Sequence, residues 1–218
     1  MAYTRVSHGS PGNDSSSTDA TVVINAIEAG LEAVEAAYVS STTLNAREGG
    51  VTTGLDLFDR RMAQASMALG ASGTMRAMFF TPDVSFTAAN ITVQTGATAA
   101  AATPTLCRMA LYSVDASNRF TAELANTAND TTLFATTFTA YTRALSQTVS
   151  LVQGTRYAVG ILVVSATTMP NFAGVTSLVV SSQPWIAAAS STIADLPGAF
   201  PYTMGSGAAG GQFWCRLT

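Results

Sequence analysis

Lysine is absent from this chain, and all ten basic residues are arginine. Thirteen acids leave a net charge of −3, and only 11 % of residues are charged, against roughly 25 % in ordinary soluble domains. No basic run occurs, and neutralising phosphates requires one, so no nucleic-acid partner is expected. Histidine occurs once, as His8 in a polar N-terminal stretch. A Ser-His-acid triad, a two-histidine metal site and a histidine general base therefore lack their parts, and neither metal nor cofactor is expected. Two cysteines, Cys107 and Cys215, have no zinc or disulfide-framework spacing and read as separate buried thiols, with one inter-strand disulfide as the alternative. No apolar run approaches the ~18 residues of a membrane span. The first eight residues hold no apolar signal core, so a cytoplasmic product is expected.

What is abundant is Ala, Thr, Ser and Gly, a texture suited to a protein whose surface is largely covered by neighbours. Residues 1–17 read as a polar arm. Residues 18–72 read as a helical oligomerisation or attachment region. A first helix opens at Ser17 or Thr18 and carries Ile24, Ile27, Leu31, Val34 and Tyr38 at 3-4-3-4 spacing. That is the seam of a coiled coil, and isoleucine at the first a and d positions leans toward trimers. The competing reading is a helix lying on its own domain. A second helix over Leu55–Leu69 repeats the spacing at Leu55, Phe58, Met62, Ala65 and Leu69, with Asp56 and Asp59 in its first turn. Collinear helices and a hairpin fit equally well.

From Thr74 charges almost vanish, and short β-branched or aromatic runs alternate with turn signals. Strands are expected near Met75–Phe80, Asn90–Gln94, Thr105–Val114, Phe120–Asn126, Thr132–Phe138, Thr142–Leu151, Tyr157–Val164, Thr176–Ser181 and Phe213–Arg216. Tyr157–Val164 has no polar side chain and includes Gly160, which disfavours a helix and suits a buried strand whose partner is Thr105–Val114. Pro184–Gly211, rich in proline and glycine, reads as a long loop. The expected fold is mainly β: an antiparallel, jelly-roll-like β-sandwich over residues 73–218, preceded by the arm and two short amphipathic helices.

Chemistry is sparse within that domain. Asp115, Glu123 and Asp130 supply the only candidate carboxylate pair, and each lies at or near a turn. Gly205–Gly210 matches a dinucleotide fingerprint, yet the chain printed here continues for eight residues, too few for the helix and acid the motif needs. Trp185 and Tyr202 are the candidate glycan contacts, beside Phe200 and Trp214, with core packing the plainer reading for Trp214.

Two sets of residues carry a family resemblance. Ile24-Asn25-Ala26-Ile27-Glu28-Ala29-Gly30-Leu31 is similar to a segment recurring in tail-fibre and baseplate-attachment proteins of tailed bacteriophages. Gly73–Arg76, Thr103–Tyr112, Ala128–Phe134 and Gly154–Gly160 resemble, in order, a domain of minor tail and related virion proteins of phages infecting actinobacteria. The resemblance implies a non-enzymatic structural or adsorption role in the virion, usually as a homotrimer in contact with other virion proteins and with a host-surface glycan as a possible ligand. Capsid decoration or head-fibre duty in the same particle is one alternative, and a carbohydrate-binding module is another.

Overall fold

The computed structural model describes residues 54–100, 104–176, 185–207 and 211–218. The arm and the first helical seam, Ile24 to Tyr38, lie outside these residues, as does Ser177–Ser181 of one expected strand.

Fourteen strands are described: β1 (Leu55–Asp56), β2 (Ala65–Ala68), β3 (Thr74–Phe80), β4 (Phe86–Gln94), β5 (Pro104–Val114), β6 (Arg119–Asn126) and β7 (Ala140–Leu151), then β8 (Tyr157–Ser165), β9 (Asn171–Val175), β10 (Ala187–Ser190), β11 (Tyr202–Thr203), β12 (Ser206–Gly207), β13 (Gln212–Phe213) and β14 (Cys215–Leu217). They form three antiparallel sheets, ordered β11-β6-β5-β8-β3-β10-β12, β1-β14-β4-β7 and β13-β9-β2. The two smaller sheets are joined by a Thr95–Phe172 bridge and by the chain passing from β13 to β14. A Thr127–Leu145 bridge ties β6 to β7, so the sheets curl into a half-barrel. The principal pairs are nested: β3 with β8, β4 with β7 and β5 with β6.

The seven-stranded sheet is buried on both faces. Met78, Met109, Leu111, Val159, Ile161 and Val163 face the smaller sheets and meet Ile91, Val93, Phe172 and Leu217. On the other face Met75, Phe79, Tyr112 and Leu162 pack against Ala188, Leu196 and Met204. This double burial is why Tyr157–Val164 is apolar at every position instead of alternating. Its partner is Thr105–Val114, as its composition indicates. At Gly160 a side chain would run into Met75 and Tyr112, so the missing Cβ is the space those two fill.

Three expectations need correction. Leu55–Leu69 is not a helix: it holds β1, a single 3-10 turn at Arg60–Met62, and β2. Asp59 accepts the Arg61 amide at 2.9 Å, which closes a local turn in competition with a helix. β1 then pairs with β14, and β2 with β9. Short helices draw most of their stability from packing, and here the pairing wins. The 3-4 pattern overlaps a strand alternation, Ala65-Met67-Leu69, whose last two members are fully buried in the domain's own core. Of the proposed seam, Leu55 and Phe58 pack on that core, Leu69 is part of it, and Met62 is exposed.

Thr132–Phe138 is a loop, not a strand. Asp130 accepts the amide (2.9 Å) and hydroxyl (2.6 Å) of Thr132 and turns the chain there. The consecutive residues Leu133 and Phe134 both enter the core, which strand alternation forbids. Pro184–Gly211 is not simply a loop, because its described part contributes three short strands and covers the second face of the large sheet.

Leu69→Ala is expected to cost about 2–5 kcal/mol in urea unfolding, because it empties a core site, and to leave the solution mass of the folded protein unchanged. Gly73 sits at φ +73°, donates its amide to the Val163 carbonyl and accepts the Ile193 amide. Gly73→Ala should therefore lower stability by about 1–3 kcal/mol through backbone strain, read as a fall in the urea midpoint.

Candidate functional site

The carboxylates of the β domain are dispersed and engaged. Asp115 closes the β5–β6 turn, accepting the Ser117 and Arg119 amides at 2.9 and 3.0 Å and pairing with the Arg119 guanidinium at 2.7 Å. Asp130 binds Thr132 and pairs with Arg143 at 2.6 Å. Glu123 accepts from Asn126 at 2.6 Å, and Asp195 binds Arg108 at 3.0 Å. The Arg119 amide, then its side chain, holds the Asp115 carboxyl below its ordinary range; the Thr132 hydroxyl, then Arg143, does the same for Asp130. A general acid needs the opposite shift, so these groups are built as turn fasteners. Among the described residues, no three His, Cys, Asp or Glu side chains lie close enough to hold a metal ion, and no helix is long and apolar enough to cross a membrane.

Cys107 and Cys215 are separate free thiols, both buried. Burial, with a smaller push from Asp130, raises the Cys107 thiol to about 12. Burial raises Cys215 as well, so neither is a poised nucleophile.

The expected glycan contacts fall on the covered face of the large sheet. Trp185 and Tyr202 are part-buried and pack against the second core. The Trp185 carbonyl is held by the Arg156 guanidinium, which also lies over the Phe79 ring at 5.2 Å. The Tyr202 hydroxyl is 2.8 Å from that of Ser190, and its ring leans on Phe120 at 6.0 Å. These residues fasten the 185–205 segment to the sheet. Trp214 is buried, with the Arg60 guanidinium 5.7 Å from its ring centre.

Connectivity separates two ends. At one, short turns join β3 to β4, β5 to β6 and β7 to β8; at the other, longer connections join β4 to β5 and β6 to β7. The longer end carries an exposure that the sequence did not signal. Phe138, expected to lie in a strand, is 68 % exposed at φ +50°. The backbone around it is fixed. Phe138 donates its amide to the Gly96 carbonyl at 3.1 Å, and Thr95 and Thr139 exchange amide-to-carbonyl and amide-to-hydroxyl bonds at 3.0 Å each. The Thr95 hydroxyl also donates to the Thr136 carbonyl at 2.6 Å. Met62, 61 % exposed, belongs to the turn that leads into β2, whose Ser66 hydroxyl accepts the Ala97 amide beside Gly96. Phe134, in the same uncharged Thr/Ala run, is fully buried, so the run itself does not mark which aromatic faces outward.

The stretches that carry the phage resemblance assemble in space. Gly73–Arg76 enters β3, Thr103–Tyr112 includes most of β5, and Gly154–Gly160 enters β8, which lies between those two strands. In the fourth stretch, Asn129 accepts the Cys107 amide at 2.9 Å and donates to the Thr105 carbonyl at 3.2 Å, completing the β5 edge. No family model and no curated protein matches this chain.

Because Asp130 ionises more readily in the folded chain, its contribution is complete above the unfolded carboxyl value of about 3.9 and is lost as pH falls below it. Asp130→Asn should be less stable than wild type at pH 7, with the difference shrinking toward pH 2. Urea midpoints across that range test the sign.

Proposed function

We propose that this chain is a non-enzymatic structural protein of a tailed-phage virion, of minor-tail or fibre type. It would attach through its N-terminal region as a homotrimer, contact other virion proteins and present its β domain outward for host adsorption or virion stabilisation. One observation carries the reading: the four resembling stretches together form the structural spine of the domain, as residues shared through a common fold would. The nested strand pairs support the finer fold assignment, a jelly-roll-like sandwich lacking the innermost pair of strands, an architecture used in capsid and lectin domains. The turn-fastening carboxylates and inert thiols favour scaffold over catalysis. Fold alone does not assign the role, which rests also on the resemblance.

Capsid decoration or head-fibre duty is the alternative within the same particle. Gold-labelled antibody against this chain, applied to particles of the phage that encodes it, is expected to mark the tail, and solution mass is expected to be that of a trimer. Labelling of the capsid lattice selects the alternative. A monomer absent from purified particles overturns both.

A further inference from the structure

We propose that the Phe138 loop is a stacking platform for a neutral pyranose ring. This goes beyond the structural role above and does not depend on where in a particle the chain sits.

Phe138 bears a backbone cost while its ring gains little burial. A bulky L-residue at φ +50° is a backbone outlier, and Phe138 holds that conformation while 68 % of it faces solvent. Strain of this kind persists where the surroundings over-determine it, as the bonds from Gly96, Thr95 and Thr139 do here. Phe138 has no ring partner among the described residues, so the ring is offered outward on a fixed base. A pre-ordered platform loses little entropy on binding.

Residues 131–142 contain no charged side chain, and the acid and base on either side, Asp130 and Arg143, neutralise each other. An ionic ligand would find no counter-charge in this loop. Ala135, Thr136 and Thr137, which precede Phe138 in the chain, are also exposed, so the loop offers hydroxyl and backbone polar groups along with the ring. A flat apolar ring on an uncharged, hydroxyl-bearing loop matches a sugar ring, whose C–H face is apolar and whose edge is hydroxyls. The apolar area is small, a single exposed ring. A whole aromatic side chain buries about 150–250 Å² and Phe138 offers only its exposed part of that, whereas a stable protein interface takes about 800 Å² per partner with an apolar centre. The patch is the size of one sugar ring.

The test uses the full chain on an array of neutral oligosaccharides, including glucan, galactan, mannan and arabinan fragments, with affinities of any hits measured by calorimetry. Binding to at least one pyranose-containing fragment is expected. Phe138→Gly, which suits the backbone angle and so keeps the fold, should weaken it at least about tenfold, while Phe138→Tyr should retain it. Thermal melts of both variants within a few degrees of wild type would show that the fold is intact. No binding to any neutral saccharide, or binding unchanged in Phe138→Gly, overturns the proposal. So does a change in solution mass on Phe138→Gly, which would make the loop a protein contact. Loss of binding on Trp185→Ala with Phe138→Gly unaffected would also overturn it, by placing the sugar on the covered face.

Discussion

The strand from Tyr157 to Ser165 sits at the centre of a seven-stranded sheet with apolar material against both of its faces, and most of the structure follows from keeping it dry. A sheet with one solvated face would alternate polar and apolar residues; this one has to be apolar throughout its middle. The smaller sheets cover one face. The other requires a second cover, and the segment from Trp185 to Gly205 provides it. That segment has little regular structure of its own, so it is tied down at discrete points: Ile193 to Gly73, Arg156 to the Trp185 carbonyl, Arg108 to Asp195, and β10 along β3.

The same constraint explains where the few charges lie. With both faces of the main sheet largely apolar, most acids are left for turns and margins, and the arginines that fall within its strands are tied down, Arg76 to the Leu69 carbonyl and Arg108 to Asp195. Asp59 with Arg61, Asp115 with Arg119 and Asp130 with Arg143 each fix a local change of chain direction. Surface pairs contribute little stability individually, so their worth here is geometric. Arginine suits the task, because its planar fork serves a carboxylate and a carbonyl at once, as Arg143 does with Asp130 and the Thr142 carbonyl. The tight covering also has a cost. The Tyr112 hydroxyl and the Trp214 indole nitrogen are buried without a hydrogen-bond partner among the described residues, and burial raises the Tyr112 pKa.

Much of this was legible in the sequence wherever local preference and tertiary need agree. Tyr157–Val164 and Thr105–Val114 read as buried strands and pair in eight positions, and the turn residues at Asp115–Asn118 and Gly154 fall where the chain reverses. Reading failed where a distant partner decided the outcome. Ala65-Met67-Leu69 satisfies both a helical and a strand period, and only β9 and β14, late in the chain, select the strand reading for Leu55–Leu69. Thr132–Phe138 has strand composition, but the Asp130 turn and the pockets filled by Leu133 and Phe134 override it. Trp185 and Tyr202 read as candidate glycan contacts because a glycine- and proline-rich segment carries no sign that it lies on a sheet.

The placement of these aromatics bears on where binding can occur. An aromatic in an irregular segment can serve either as an anchor or as a ligand platform, and burial distinguishes the two. Trp185, Phe200 and Tyr202 lean inward and fasten a cover. Phe138 turns outward, from a loop whose neighbours Leu133 and Phe134 have already secured it to the core. The nested strand order is what permits this division. It places the short turns at one end and the longer connections at the other, so one end is left free to carry an aromatic that is mostly exposed. The main sheet, buried on both faces, offers no surface for recognition, and in this chain the strained, exposed side chain stands at the end with the longer connections.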